Sequence, residues 1–397
     1  MPKVQELTSI FSTVSGSAEL IVETSGGICK TEDQPAVLKP HRYYRPELDV
    51  LRFMAFLMVY VGHTLSVDGS APALLKALKG FAGLGVPLFF ALSAYLVTEL
   101  LTMEERTNGS INILYFYGRR ILRIWPLYFV VLGFGFYLSH VYGPPISMVA
   151  LLAYAFLVGN WYTGSFGYLS SGVGPLWSIP IEEQFYLLWP LVLRRFSRRT
   201  TATICALAWF VSQAALIFLC SRNVPNNPSI WTNSLVQLQY FATGAGLSLF
   251  LQGAIPRIRT VTRLGLFISA LLLFLTAEWV FNTHQDRSSI NHTFPQFPLR
   301  GVAILMLLLA ILGWSSIGRW RSLRFLGKIS YGLYVYHALS FQFAANVAHK
   351  MGYDSALVAA VAGLSVDIGV AWLSYEYLEK PFLRLKEKFA VVKSAAI

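Results

Sequence analysis

The chain has 397 residues, of which 55% are hydrophobic and only 13% are Asp, Glu, Lys or Arg, about half the charged share of a typical soluble domain. A formal net charge of +12 would suit nucleic acid, but the basic residues fall in short clusters between apolar runs, where topology signals sit. The three cysteines (Cys29, Cys205 and Cys220) have neither metal-ligand spacing nor a disulfide framework, and no alternating strands of about ten residues indicate a membrane barrel.

Residues 1–42 are polar, mixed and Ser/Thr-rich, with no apolar core of the signal-peptide kind. Such a segment reads as a disordered cytoplasmic tail. From there apolar runs recur, and about 20 apolar residues let a helix cross a bilayer. Helices are predicted over 50–66, 81–101, 121–141, 178–195, 201–220, 232–252, 263–281, 299–316, 326–347 and 356–377. With the N-terminus in the cytoplasm, the basic clusters at 118–123, 194–199, 256–263 and 318–328 and the stretch 379–388 all fall inside, as the positive-inside rule requires. Lys76, Lys79, Arg222, Arg287 and Lys350 are scattered exceptions. The run "ISMVALLAYAFLVGN" (146–160) is apolar but short. A full crossing there would move every later cluster to the other side, so 144–176 is predicted to be re-entrant or outward-facing, its backbone lying against protein or a water-filled cavity. The expected fold is all-α: a polytopic membrane bundle of about ten transmembrane helices plus a re-entrant segment. It comprises a membrane domain at 43–386 and a short cytoplasmic tail at 387–397.

Four stretches place ionisable or polar groups inside apolar runs, where a charge costs at least about 2.5–3.5 kcal/mol and usually faces a cavity or a partner. In "LDVLRFMAFLMVYVGHTL" (48–65), Asp49, Arg52 and His63 share one helix face, since eleven steps bring a side chain back within about 20°. An interfacial Asp49–Arg52 pair and an interhelical histidine would also account for them. In "RRILRIWP" (119–126), Arg119, Arg120 and Arg123 open a helix; guanidinium forks suit phosphates, and the same cluster also satisfies the topology rule. In "GPLWSIPIEEQFYLLWP" (174–190), Glu182 and Glu183 adjoin an apolar run behind Pro180, which is expected to break the helix start; two solvated acids in an aromatic belt are the plainer account. In "FLGKISYGLYVYHALSF" (325–341), Ser330, Tyr331, Tyr334 and His337 lie within one predicted span, which simple packing would also explain. Glu278 and Asp367 are further buried acids whose partners the sequence does not name. No metal ligand set is visible. Intramembrane Arg, His and Asp also mark proton-coupled transporters of small solutes, although no inverted repeat of the transporter kind is evident.

Taken in order, these stretches resemble the acyltransferase-3 family of integral membrane acyltransferases over residues 43–386. Arg52 and His63 match its Arg-x10-His motif, "GVPLFFALSAYLV" (85–97) is similar to its Gly-Val-Asp-Leu-Phe-Phe stretch, and Arg120 and Arg123 match its Arg-x-x-Arg pair. "LWSIPIEEQFYLLWP" resembles its Trp-Ser-Leu segment, with the typical acid at Glu182, and "LGKISYGLYVYH" and "EYLEKPF" resemble its C-terminal signatures. Pro87 stands where many members have an acid, and Ala94 replaces a glycine. The resemblance implies transfer of an acyl group, acetyl foremost, from cytoplasmic acyl-CoA to a hydroxyl of an envelope glycan, exopolysaccharide, glycolipid or glycosylated small molecule. It implies a bacterial inner membrane with both termini cytoplasmic, no bound metal and no nucleic acid. The chain is expected to be of the stand-alone type, without an appended esterase-like domain. His63 is then expected to be the catalytic base or acyl carrier, with Glu182 setting its tautomer. Arg52, Arg119, Arg120 and Arg123 are expected to bind the coenzyme A phosphates, with Asp49 as a structural partner of Arg52. Ser93, Tyr331 and His337 are expected to donate to substrate or oxyanion.

Overall fold

The computed structural model describes residues 43–65, 78–169, 172–281, 287–353 and 355–389. The expected tail at 1–42, Cys29 and residues 390–397 lie outside them, and the described residues belong to one compact unit. In chain order the helices are α1 (Pro46–Thr64), α2 (Ala82–Asn108), α3 (Ile113–Tyr142), α4 (Met148–Ala155), α5 (Gly159–Phe166), α6 (Ser178–Arg195) and α7 (Arg198–Ser221). There follow α8 (Ser234–Leu251), α9 (Thr260–Val280), α10 (Thr293–Ile311), α11 (Arg321–Lys328), α12 (Ser330–Lys350), α13 (Ala356–Ser374) and α14 (Lys380–Lys386). No strand occurs among the described residues; an isolated bridge joins Pro225 and Arg287. Starts are set locally: the side chains of Asn112, Ser147, Ser197 and Asn233 accept from first-turn amides of α3, α4, α7 and α8.

Each of the ten predicted segments overlaps a helix, although 299–316 runs past the helix end at Ile311 and 326–347 is divided between two helices at Ile329. Six helical stretches are long and apolar enough to cross a membrane: Leu78–Asn108, Ile113–Tyr142, Arg198–Ser221, Thr260–Val280, Thr293–Ile311 and Ala356–Phe389. The other four, α1, α6, α8 and α12, are the more polar ones. The first carries Glu47, Asp49 and Arg52, the second Glu182 and Glu183, the third buried Gln237 and Gln239, and the last His337, Ser340 and Asn346. All of these groups but the exposed Asn346 are buried or half-buried in the bundle. Pro180 does not break α6. It sits in the first turn, where a missing amide hydrogen leaves no helical bond unmade.

The segment 144–176 holds two eight-residue helices, α4 and α5, broken around Leu157, whose φ is 60°. Each is about 12 Å long, and neither alone reaches across a hydrocarbon core of about 30 Å. Polar contacts tie the break to the bundle. Gln184 of α6 donates to the Leu157 carbonyl at 3.1 Å and to Asn160 Oδ1 at 3.0 Å, Asn160 donates to the Thr232 carbonyl at 3.1 Å, and Ser234 donates to Gln184 Oε1 at 2.6 Å. The irregular backbone therefore lies against protein, as membrane depth demands.

Packing centres on α1 and α2. α1 packs on α2, α11 and α12, and α2 also packs on α8. Two glycines set the closest approaches. A Cβ on Gly327 would stand 1.8 Å from the Asp49 carbonyl, and one on Gly244 would stand 2.0 Å from the Ala91 carbonyl. Small residues admit such backbone contact where apolar lipid gives helices little reason to associate. Both buried acids left open by the sequence have partners here. Glu278 accepts from Arg300 Nε at 2.8 Å, and Asp367, fully buried, accepts from Ser340 at 3.2 Å.

Candidate active site

A cavity of about 290 Å³ opens among α1, α2, α3, α6, α12 and α14. Eight of the predicted site residues line it: Asp49 and Arg52 from α1, Ser93 from α2, Arg119, Arg120 and Arg123 from α3, Glu182 from α6 and Tyr331 from α12. Its walls carry the cations Arg45, Arg52, Arg119, Arg120, Arg123, Lys328 and Lys386 against the carboxylates Asp49, Glu104, Glu182 and Glu379. Such an excess of positive charge in a walled cleft favours anions.

The cations are not equivalent. Arg52 pairs with Asp49 at 2.9 Å, and Arg119 donates to Glu104 and to the Phe389 carbonyl, each at 2.7 Å. Arg45 donates to Glu99 at 2.7 Å, and Tyr43 donates to the same carboxylate. Arg120 instead lies over the rings of Tyr186 (4.8 Å) and Phe116 (5.4 Å), and neither Arg120 nor Arg123 makes a hydrogen bond among the described residues. These two forks are open to a ligand. Lys328 and Lys386 escaped the sequence reading because their clusters read as topology signals, and Arg45 because it stands just ahead of the first predicted helix; the signal for Lys328 was its place two residues before "SYGLYVYH".

Glu182 accepts from Ser93 Oγ and Tyr186 OH, and no hydrogen bond links it to a histidine. The expected role of Glu182 in setting the His63 tautomer is thereby corrected, because α6 presents it to α2 rather than to α1. The three expected oxyanion donors are also engaged. Ser93 donates to Glu182, Tyr331 donates to the Ile124 carbonyl at 2.7 Å, and His337 Nδ1 lies 2.6 Å from the Tyr334 carbonyl. A carbonyl only accepts, so the neutral His337 ring carries its proton on Nδ1 and offers a lone pair at Nε2. That nitrogen is buried and without a partner.

His63 and His337 do not line the cavity. His63 is exposed at the opposite end of α1 from Arg52. Its ring lies 5.2 Å from that of fully buried His337, which lies 5.6 Å from Tyr334, a cavity residue. Tyr334 is fixed in turn, donating to the Pro175 carbonyl at 2.8 Å with Ser178 Oγ 2.6 Å away. A row of rings thus runs from cavity to His63: Tyr334, His337, His63. Among the described residues no group of three His, Cys, Asp or Glu side chains is placed to hold a metal.

Residues 45–376 match a family profile described as an acyltransferase domain. The chain is 27% identical over 327 residues to the peptidoglycan O-acetyltransferase OatA of Listeria monocytogenes, a match covering 75% of this chain and 49% of that protein. It is 26% identical over 364 residues to the O-acetyltransferase OatA of Staphylococcus aureus, covering 85% and 57% respectively. The chain thus spans about half the length of the curated relatives it matches. No solved structure matches it.

Proposed function

The chain belongs to the acyltransferase-3 family of integral membrane acyltransferases, and from that premise we propose that it moves an acetyl group from acetyl-coenzyme A to a hydroxyl of an envelope carbohydrate. On this reading it sits in a bacterial inner membrane with both termini cytoplasmic, as the basic clusters favour. Its relatives are named for peptidoglycan and for O-acetyl transfer, which supports a glycan acceptor.

One observation carries the reading. A cation-rich cavity with two unengaged arginines lies at one end of the ring row, and an exposed imidazole lies at the other. Arg120 and Arg123 bind phosphate oxygens, with Lys328 and Lys386 nearby. At about 290 Å³ the cavity is at the small end of ligand pockets, about 300–1,000 Å³, so it suits the pyrophosphate and pantetheine arm better than the whole coenzyme. Glu182 locks Ser93 and Tyr186 and so fixes the ring on which Arg120 rests.

In direct transfer, a neutral His63 takes the acceptor hydroxyl's proton as the oxygen bonds to the thioester carbonyl carbon. The carbon–sulfur bond breaks, and the thiolate recovers that proton to leave as coenzyme A. In the covalent route a His63 nitrogen first bonds to the thioester carbonyl carbon as the carbon–sulfur bond breaks and coenzyme A departs as thiolate; the acceptor oxygen then takes the acetyl group from that nitrogen, and the hydroxyl proton passes by way of the freed imidazole to the thiolate. The test uses purified protein with radiolabelled acetyl-coenzyme A and no acceptor. Hydrolysis or retained label is expected in wild type and absent in His63→Ala, while a binding titration with coenzyme A is unchanged. Full turnover in His63→Ala, or no binding of coenzyme A by wild type, would overturn the reading.

A further inference from the structure

His63 needs an orienting partner if it is to present a lone pair to a hydroxyl, because a neutral imidazole has one donor nitrogen and one acceptor nitrogen. In hydrolytic triads a carboxylate accepts from the base and fixes that choice. Among the described residues no carboxylate serves either histidine. Glu182 is held by Ser93 and Tyr186, and Asp367 is bonded by Ser340. Lys79, a charged group near His63, is itself a donor, bound to the Leu65 carbonyl at 2.5 Å.

Among the described residues one acceptor stands out. The Nδ1–H of His337 is tied to the Tyr334 carbonyl, so its buried, unpartnered Nε2 is an acceptor beside the His63 ring. Burying such an atom without a partner loses its hydration with nothing in return, which argues for a partner in the working state. The spacing agrees: an imidazole–imidazole hydrogen bond of about 2.9 Å puts ring centres roughly 5 Å apart, and these lie at 5.2 Å. His337 is fixed by its backbone bond and by the Phe56 and Tyr334 rings.

We infer that His337 is the positioning residue of the reaction: its Nε2 accepts the N–H of His63, so that the other His63 nitrogen faces the reacting hydroxyl with its lone pair. A neutral imidazole therefore occupies the place that a carboxylate fills in a triad. The inference rests on the proposed role of His63, and its test separates the two. Nitrogen-15 solid-state NMR on histidine-labelled protein in lipid reads the His63 tautomer without any turnover, the His63 signals being identified by their loss in His63→Ala. A single His63 tautomer is expected in wild type and a mixture in His337→Phe. In the acetyl-coenzyme A assay, His337→Phe should lower kcat at least about tenfold with KM unchanged. His337→Gln, whose amide oxygen also accepts, should restore most of it. Unchanged coenzyme A binding shows that each variant is folded. The same tautomer in wild type and His337→Phe, or equal loss in the Gln and Phe variants, overturns the inference. A wild type inactive with acetyl-coenzyme A would overturn the donor reading alone, and the NMR result would still judge the histidine pair.

Discussion

Three arginines within five residues read alike in the sequence, yet they are differently engaged. Arg119 is bound to Glu104 and to the Phe389 carbonyl, whereas Arg120 and Arg123 keep their forks free. Replacing Arg120 and Arg123 with alanine should therefore weaken coenzyme A binding at least about tenfold for each charge-assisted bond lost. Isothermal titration in detergent reads this, and unchanged affinity would remove the phosphates from these two residues. Much of the site was legible at this scale, because Asp49, Arg52 and His63 on one helix face follow from the helical turn alone. What stayed hidden depends on neighbours in space. That Glu182 meets Ser93 rather than a histidine depends on how α6 lies against α2. That His337 accepts rather than donates depends on one carbonyl, that of Tyr334, which no spacing reveals.

Among the elements, apolar runs located all ten longer helices because each carries enough hydrophobic residues to show against its loops. The sequence could not show which ones press closest. Gly244 of α8 touches the Ala91 carbonyl of α2, whereas Gly246, two residues on, has open space around it. Gly244→Ala should force the two helices apart and cost about 1–3 kcal/mol, and Gly246→Ala should be nearly silent. Thermal unfolding in detergent compares the two, and equal melting temperatures would show that α2 and α8 yield without strain. The re-entrant reading of 144–176 was reachable because a crossing there would invert every later basic cluster. The contacts that hold the break between its two short helices, Gln184 on Leu157 and Asn160 on Thr232, join parts of the chain too far apart for any local pattern.

For the molecule as a whole, the buried Glu278–Arg300 pair holds α9 to α10, with Arg300 also lying over the rings of Trp231 and Phe297 at 5.2 Å each. Glu278→Ala would leave Arg300 charged and unpaired, and should destabilise the bundle by about 3–5 kcal/mol. Replacing both residues with Leu and Met should recover most of that loss. Chemical denaturation in mixed micelles measures it; a double variant as weak as the single would mean that the pair contributes more than charge balance. The ion pairs also bear on how the chain is made. Glu99 finds Arg45 54 residues earlier, Glu104 finds Arg119 15 residues later, and Glu278 finds Arg300 22 residues later. The remaining pairs among the described residues are three and four residues apart. The backbone contact of Gly327 with Asp49, by contrast, joins distant parts of the chain. During synthesis these three ion pairs can therefore close before the later helices are made, whereas a polar contact such as that of Arg119 with the Phe389 carbonyl waits for the last of the chain.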